Sequence, residues 1–354
     1  MTDFHIALLP GDGIGPEVVA EGVKVLRAVE SRLSGIRFRF SEYSVGAAEF
    51  LRSGNPLPPA TLDAVRSADV ILLGAMGLPS VRWPNGVEMT PQIDLREQLD
   101  LYNGVRPIRL FLEAHSPLKG CGGAAGRPID FVIVRENCEG LFSERLTPRP
   151  AGRDFETDTM RITRRGAERI SRAALQLARR RRRHCTLVDK ANVLPSMAFL
   201  RKIFDEVARE FPDVQTDRVY VDAMALHLVQ RPERFDVIVT ENMFGDILSD
   251  LAAGLIGGMG MAPSADLGDT HGVFQPSHGT APDIAGKGIA NPIATILSAA
   301  MMLEWLEHPE TVRGARLIEQ AVECALVDPT HRTADLGGTI GTVAMGDLIC
   351  QALP

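Results

Sequence analysis

Short apolar runs alternate along this chain with longer segments whose apolar residues recur at helical spacing. That alternation constrains the fold more than any other feature. IALLP (6–10), VILLGAMG (70–77), FVIVRE (131–136), TLVDKA (186–191), VYVDAM (219–224) and DVIVTE (236–241) read as strands. Residues 17–33 place Val19, Val23, Leu26, Val29 and Leu33 on one helical stripe, and 165–183, 196–210, 244–256 and 293–306 also read as helices. Asn291-Pro292 is a natural helix entry. Continuous apolar strands followed by amphipathic helices predict an α/β fold around a mostly parallel sheet. Residues 113–128, rich in Gly, Ala, Pro and small polar residues, predict an exposed loop.

A length of 354 residues corresponds to about two domains and can bury a core without disulfides or a structural metal. No Ser- or Pro-rich linker divides the chain, so a second domain is expected as an insertion within the first. The net charge of −7 argues against nucleic acid as a partner. Cys121, Cys138, Cys185, Cys324 and Cys350 are scattered, odd in number and without a CxxC pair, which fits a reducing compartment and offers no zinc site. The sequence runs straight into its first strand, so no signal peptide is expected, and no apolar run reaches about 18 residues, so no membrane span is expected. The expected location is the cytoplasm. Five arginines at 179–183 are either an anion patch or a cationic helix C-terminus of the kind the helix dipole favours.

Six constellations could carry chemistry. GDGIGP (11–16) follows a strand and opens a helix, so it is either a tight turn or a loop whose backbone approaches a ligand; its spacing is not that of the dinucleotide fingerprint. In ENMFGDILSDLAAG (241–254), Asp246 and Asp250 lie one helical turn apart, where like charges repel unless a cation sits between them. The alternative is a solvated acidic face. An all-oxygen pair suits magnesium or manganese. Asp222 lies in the apolar run VYVDAMAL and is either a third carboxylate of a cation site or a cap for the next helix. Lys190 ends an apolar strand, as a desolvated base or as an amine that reaches solvent or pairs with Asp189. Arg96, Arg106 and Arg135 would suit a di- or tricarboxylic acid through bidentate forks, or pair with surface acids. The loop QPSHGTAPDIAGKGIANP (275–292) could wrap an adenosine, with a carboxylate accepting from a ribose diol.

Taken in order, LREQLDLYNGVRP, VREN, VDKANVL, ENMFGDILSDLAAGLIGGMG and HGTAPDIAGKGIANP resemble the isocitrate/isopropylmalate dehydrogenase family, from GDGIGPEV near residue 11 to DLGGTIGT near residue 335. The resemblance implies that family's own α/β fold rather than a true Rossmann fold. It implies a large domain from 1–102 and 257–354, with a smaller domain, 103–256, inserted. It also implies a homodimer with shared active sites, Lys190 and Asp222 coming from one subunit and Asp246 and Asp250 from the other. Arg96, Arg106 and Arg135 then hold the carboxylates of a malate-type hydroxy acid. Asp222, Asp246 and Asp250 ligate Mg2+ or Mn2+, and Lys190 and Asp222 form the catalytic pair. Ile14, Asn192, His278, Gly279, Thr280, Ala281, Asp283 and Asn291 match the cofactor site. Asp283 after Ala281-Pro282 favours NAD, because a carboxylate repels a 2′-phosphate. The implied reaction removes the 2-hydroxyl proton through Lys190, passes hydride to NAD and releases the 3-carboxylate as carbon dioxide.

Two positions depart from the family pattern. Phe142 stands seven residues after Arg135, where the family carries a tyrosine that protonates the decarboxylated product. Met89, Thr90, Pro91, Gln92 and Ile93 match neither the paired leucines of isopropylmalate enzymes nor the Ser and Asn of isocitrate enzymes. Tartrate, D-malate, isocitrate and homoisocitrate therefore stay open as substrates. So does a silent regulatory homologue, although the retained Asp222, Asp246, Asp250 and Lys190 argue against one.

Overall fold

The computed structural model describes residues 1–84, 86–122, 126–145 and 154–354. Among them run ten strands: β1 (Thr2–Gly11), β2 (Ile36–Glu42), β3 (Val70–Ala75), β4 (Asn103–Arg109), β5 (Asp130–Glu136), β6 (His184–Asp189), β7 (Gln215–Tyr220), β8 (Val237–Thr240), β9 (Pro263–Leu267) and β10 (Gly272–Pro276). The helices are α1 (Gly15–Glu30), α2 (Ala47–Ser53), α3 (Pro59–Arg66), α4 (Pro91–Gln98), α5 (Arg164–Arg180), α6 (Pro195–Ala208), α7 (Val221–Gln230), α8 (Asn242–Gly254), α9 (Ile293–Trp305), α10 (Pro309–Val327) and α11 (Thr342–Gln351).

The strands form one sheet in the order β2-β1-β3-β10-β9-β4-β5-β8-β6-β7. Both flanks are parallel, as expected of buried apolar strands alternating with helices. The centre is not: β10–β9, β9–β4 and β4–β5 pair antiparallel. Residues 2–75 and 263–276 supply one half of the sheet and residues 103–240 the other, joined along β9 and β4. α9 is buried almost all round and packs on β9, β10, α1 and α10. Each fully buried Leu, Ile or Phe here contributes about 1.5–3 kcal/mol of apolar burial.

One expectation is corrected and two are refined. The strand expected at 219–224 ends at Tyr220, and α7 starts at Val221. Val221, Met224, Ala225 and Leu228 recur at helical spacing, and Met224 and Leu228 are fully buried, so the stretch gains more as a helix. The expected exposed loop 113–128 has buried anchors, with His115 in a short 3-10 turn and Cys121 in the core; 123–125 lie outside the described residues. Arginines 179–183 form the expected cationic end of α5, with Arg180 and Arg183 exposed and the other three bound locally. Arg179 binds Asp213, Arg181 binds Asp130 and Asp236, and Arg182 donates to the Asp130 carbonyl.

Candidate active site

The sheet register brings the arginines together. Arg135 on β5 stands opposite Gly104 on β4, and Gly104 opposite Asp266 on β9, so the three share one row and one face. Arg106, two residues along β4, shares that face, and Arg96 enters from the last turn of α4. Gly104 is needed at the centre of the row, because a Cβ there would lie 2.7 Å from the Asn137 amide. All three arginines are buried, at 8 %, 4 % and 3 % exposure for Arg96, Arg106 and Arg135.

Buried guanidiniums require partners. Asp266, itself 1 % exposed, accepts from Arg96 Nε at 2.8 Å, Arg106 at 2.9 Å, Asn137 Nδ2 at 2.8 Å and Gln275 Nε2 at 2.6 Å. Burial alone would raise this carboxyl, but the Arg96 and Arg106 charges outweigh burial and hold it well below the usual carboxylate range. Arg135 donates to Asn242 Oδ1 at 3.0 and 2.7 Å and pairs with Asp246. Burial, with the charge of Arg96 next, pushes Arg135 down to about 10.

α8 carries the acidic side. Glu241 caps it by accepting from Met243 and Phe244 backbone N–H groups at 3.0 and 2.6 Å, a contact of about 1 kcal/mol. Asp246 and Asp250 then fall on the face turned to the arginines. Burial of the carboxyl and the neighbouring Asp246 push Asp250 up to about 6. Two carboxylates that cannot both ionise cheaply, offering only oxygen, fit a hard divalent cation. A cavity of about 170 Å³ is lined by Arg96, Arg106, Arg135, Asp246 and Asp250, and by Gln92, Ser249, Ser264, Gln275, Ser277 and His278.

Lys190 and Asp222 sit apart from this cavity. Lys190 Nζ donates to Asp222 Oδ1 at 2.6 Å, while Asp189, its alternative partner, is held by Arg201 at 2.7 Å through both oxygens. Asp222 is in the first turn of α7, its side chain 68 % exposed, not inside a strand. The Lys190 hydrogen bond holds its carboxyl below the usual range. Asn192 is exposed on the turn after Lys190. Among the described residues, no three His, Cys, Asp or Glu side chains stand together as a metal set. Within one chain, then, Asp246 and Asp250 meet and Asp222 does not join them.

The 275–292 loop packs on GDGIGP. Ile14 N donates to the Thr280 carbonyl at 2.9 Å, and Glu17 accepts from Gly286 and Gly288 N–H at 2.5 and 3.1 Å. Gly13, at φ +61°, permits this approach: a Cβ there would lie 2.0 Å from the Thr280 oxygen. Ile14 is buried with Val18 and Ala290, beside Ala281 and Ile284. Gly279 and Asp283 are exposed, Thr280 is buried, and Asn291 is buried with its amide on Asp335. His278 Nδ1 faces the Gly279 carbonyl at 2.9 Å, while Nε2 is buried without a partner beside the cavity. Burial lowers the pKa of this imidazole. An orphaned buried ring nitrogen next to a Gly-rich loop fits a bound nucleotide cofactor.

Asp266, Asn137 and Gln275 were not singled out from the sequence, and Gln92 was noted only as a departure from the family pattern. Asp266 had a signal: it is a lone carboxylate within the strand segment PSADLG, where a charge must be paired. Gln92 Oε1 is likewise buried without a partner. Phe142 lies with its ring 5.7 Å from the Arg135 guanidinium and offers no hydroxyl there.

The chain as a whole has similar known proteins. Residues 5–349 match the family model described as isocitrate/isopropylmalate dehydrogenase. The 3-isopropylmalate dehydrogenases of Moorella thermoacetica and Thermotoga maritima are each 46 % identical, with 99 % of both chains covered. The crystal structure of isocitrate dehydrogenase from Methylococcus capsulatus superposes with a TM-score of 0.88 at 39 % identity, covering 99 % of each chain. That of a β-decarboxylating dehydrogenase from Thermococcus kodakarensis gives 0.81, also at 39 %, covering 99 % of this chain and 96 % of that one. Fold and site define a dehydrogenase acting on the CH–OH group of a hydroxy acid. The chain belongs to the isocitrate/isopropylmalate dehydrogenase family.

Proposed function

We propose that the protein oxidatively decarboxylates a 3-substituted malate of the 3-isopropylmalate type, using NAD and Mg2+ or Mn2+. The observation that carries this reading is the set of three buried arginines facing Asp246 and Asp250 across one cavity. Arg96, Arg106 and Arg135 fix the substrate carboxylates, with their forks already anchored before substrate arrives. Asp246 and Asp250 hold the cation, joined by Asp222 of a second copy. Lys190, from that copy, takes the 2-hydroxyl proton, and its bond to Asp222 orients the amine. When bound at these residues, a divalent cation would supply Lewis-acid chemistry at the substrate oxygens and NAD would supply the hydride acceptor. The 278–291 loop with Ile14 holds the adenosine end, and exposed Asp283 selects NAD over NADP. Exposed Asn192 would serve the nicotinamide end of the cofactor.

The assembly is a homodimer. α7 and α8 pack together and expose Leu226, Val229 and Ile247, an apolar surface that a second copy would cover while bringing Lys190 and Asp222 to the cavity. We assign 1–102 and 257–354 to a large domain and 103–256 to an insertion, in line with the two halves of the sheet. No helix of the described residues is long and apolar enough to cross a membrane. The scattered free cysteines suit a reducing compartment, the cytoplasm.

The test is NADH formation with Mg2+ or Mn2+ on 3-isopropylmalate, isocitrate, homoisocitrate, D-malate and tartrate, each with NAD and NADP, for the wild type and Phe142→Tyr. Metal-dependent turnover with NAD is expected. Phe142→Tyr should raise release of carbon dioxide about tenfold by restoring a proton donor. No turnover by either form, with NAD still bound, would overturn the reading in favour of a regulatory subunit.

A further inference from the structure

Asp266 is a buried carboxylate that the reaction above does not use. This residue does not line the cavity. It stands behind Arg96 and Arg106 and binds both, with Asn137 and Gln275 filling its remaining lone pairs. Arg106 is further tied to the Val105 and Ala265 carbonyls at 3.2 and 3.0 Å, whereas Arg96 donates to Asp266 through Nε, which leaves its two terminal nitrogens for a ligand.

We propose that Asp266 is a positioning residue that fixes the Arg96 and Arg106 forks and, by offsetting one of their charges, tunes the site to a dicarboxylate rather than a tricarboxylate hydroxy acid. The inference rests on the function proposed above. Three guanidiniums face three carboxylates, Asp246, Asp250 and Asp266, and the charge of Asp222, with Lys190 neutral as the base, would be offset by the positive ring of oxidised nicotinamide. A bound dication then leaves two positive charges. Two substrate carboxylates match them, and a third would be buried without a counter-charge.

The experiment compares wild type, Asp266→Asn and Asp266→Glu with 3-isopropylmalate and isocitrate, reading KM for acid and for NAD separately. Asp266→Asn keeps the size of the side chain but removes its charge. It should raise the 3-isopropylmalate KM about tenfold, leave the NAD KM within about twofold, and raise the isocitrate-to-isopropylmalate ratio of kcat/KM about tenfold. Asp266→Glu keeps the charge and should keep the wild-type ratio. An unchanged ratio in Asp266→Asn, or equal rises in both KM values, would overturn the proposal. Should Asp266→Asn not fold, competitive binding of glutarate and tricarballylate to the wild type decides. Glutarate binding as tightly or more tightly supports it, and a tenfold preference for tricarballylate overturns it. If the wild type turns over no acid, the proposed function fails, while this binding comparison still reads on Asp266.

Discussion

The arginine side of the cavity and the Lys190–Asp222 corner differ in how much of their environment the chain itself supplies. Arg96, Arg106 and Arg135 are buried, and each is bonded to a carboxylate from another segment of the chain. Their geometry is set when the sheet forms, because β4 and β5 place Arg106 and Arg135 on one face and Asp266 of β9 anchors Arg96 from α4. Lys190 and Asp222 bond to each other in the open, at 26 % and 68 % side-chain exposure, away from the cavity. A site that must recognise carboxylates benefits from forks fixed in advance. In the proposed homodimer, a base and a cation ligand supplied by a second copy would stay exposed until that copy docks.

The largest expected effect falls where the two regions meet. Asp246 is both a proposed cation ligand and the partner of Arg135. Asp246→Asn should lower metal-dependent kcat by about two to three orders of magnitude while the chain still folds, since Asn keeps an acceptor for Arg135. Unchanged turnover would remove Asp246 from the cation site.

A smaller effect contrasts two buried carboxylates of the same sheet. Asp266 has two guanidiniums in contact. Glu136, also buried, has Arg169 no nearer than 3.7 Å, and burial pushes it up to about 7 despite backbone N–H donors from Cys138 and Glu139. A folded pKa above the unfolded value, about 4.5, means the charged form costs stability. That cost is full above about pH 7 and fades as pH falls toward 4.5. Glu136→Gln should therefore be more stable than wild type at alkaline pH, by up to about 3 kcal/mol, with the gain vanishing near pH 4.5. Melting curves across that range check it; parallel curves would show that Glu136 is compensated after all.

The same contrast explains what the sequence made legible. On the parallel flanks β2 was not read and β7 was placed too far along the chain, but β1, β3, β6 and β8 were readable because buried apolar runs need no distant partner to define them. The antiparallel centre was not, since pairing of β4 with β9 joins segments some 160 positions apart, and nothing local encodes it. The rule that a charge inside an apolar strand demands a partner was applied to Asp222. It fails there because Val221, Met224, Ala225 and Leu228 make the segment a helix. It holds for Asp266, where the strand is real. Local spacing offered Asp189 as the partner of Lys190, but Arg201 on α6 takes Asp189, and the pairing with Asp222 was legible only through the family resemblance.

The central claim is that the site is completed by a second copy, and subunit complementation tests it most directly. Lys190→Ala and Asp250→Asn chains should each be inactive alone. Unfolded together and refolded, they should recover about a quarter of wild-type activity, since half the dimers are mixed and each mixed dimer holds one intact site. Recovery at that level supports a site shared between copies; no recovery, with mixed dimers shown to form, would contradict it.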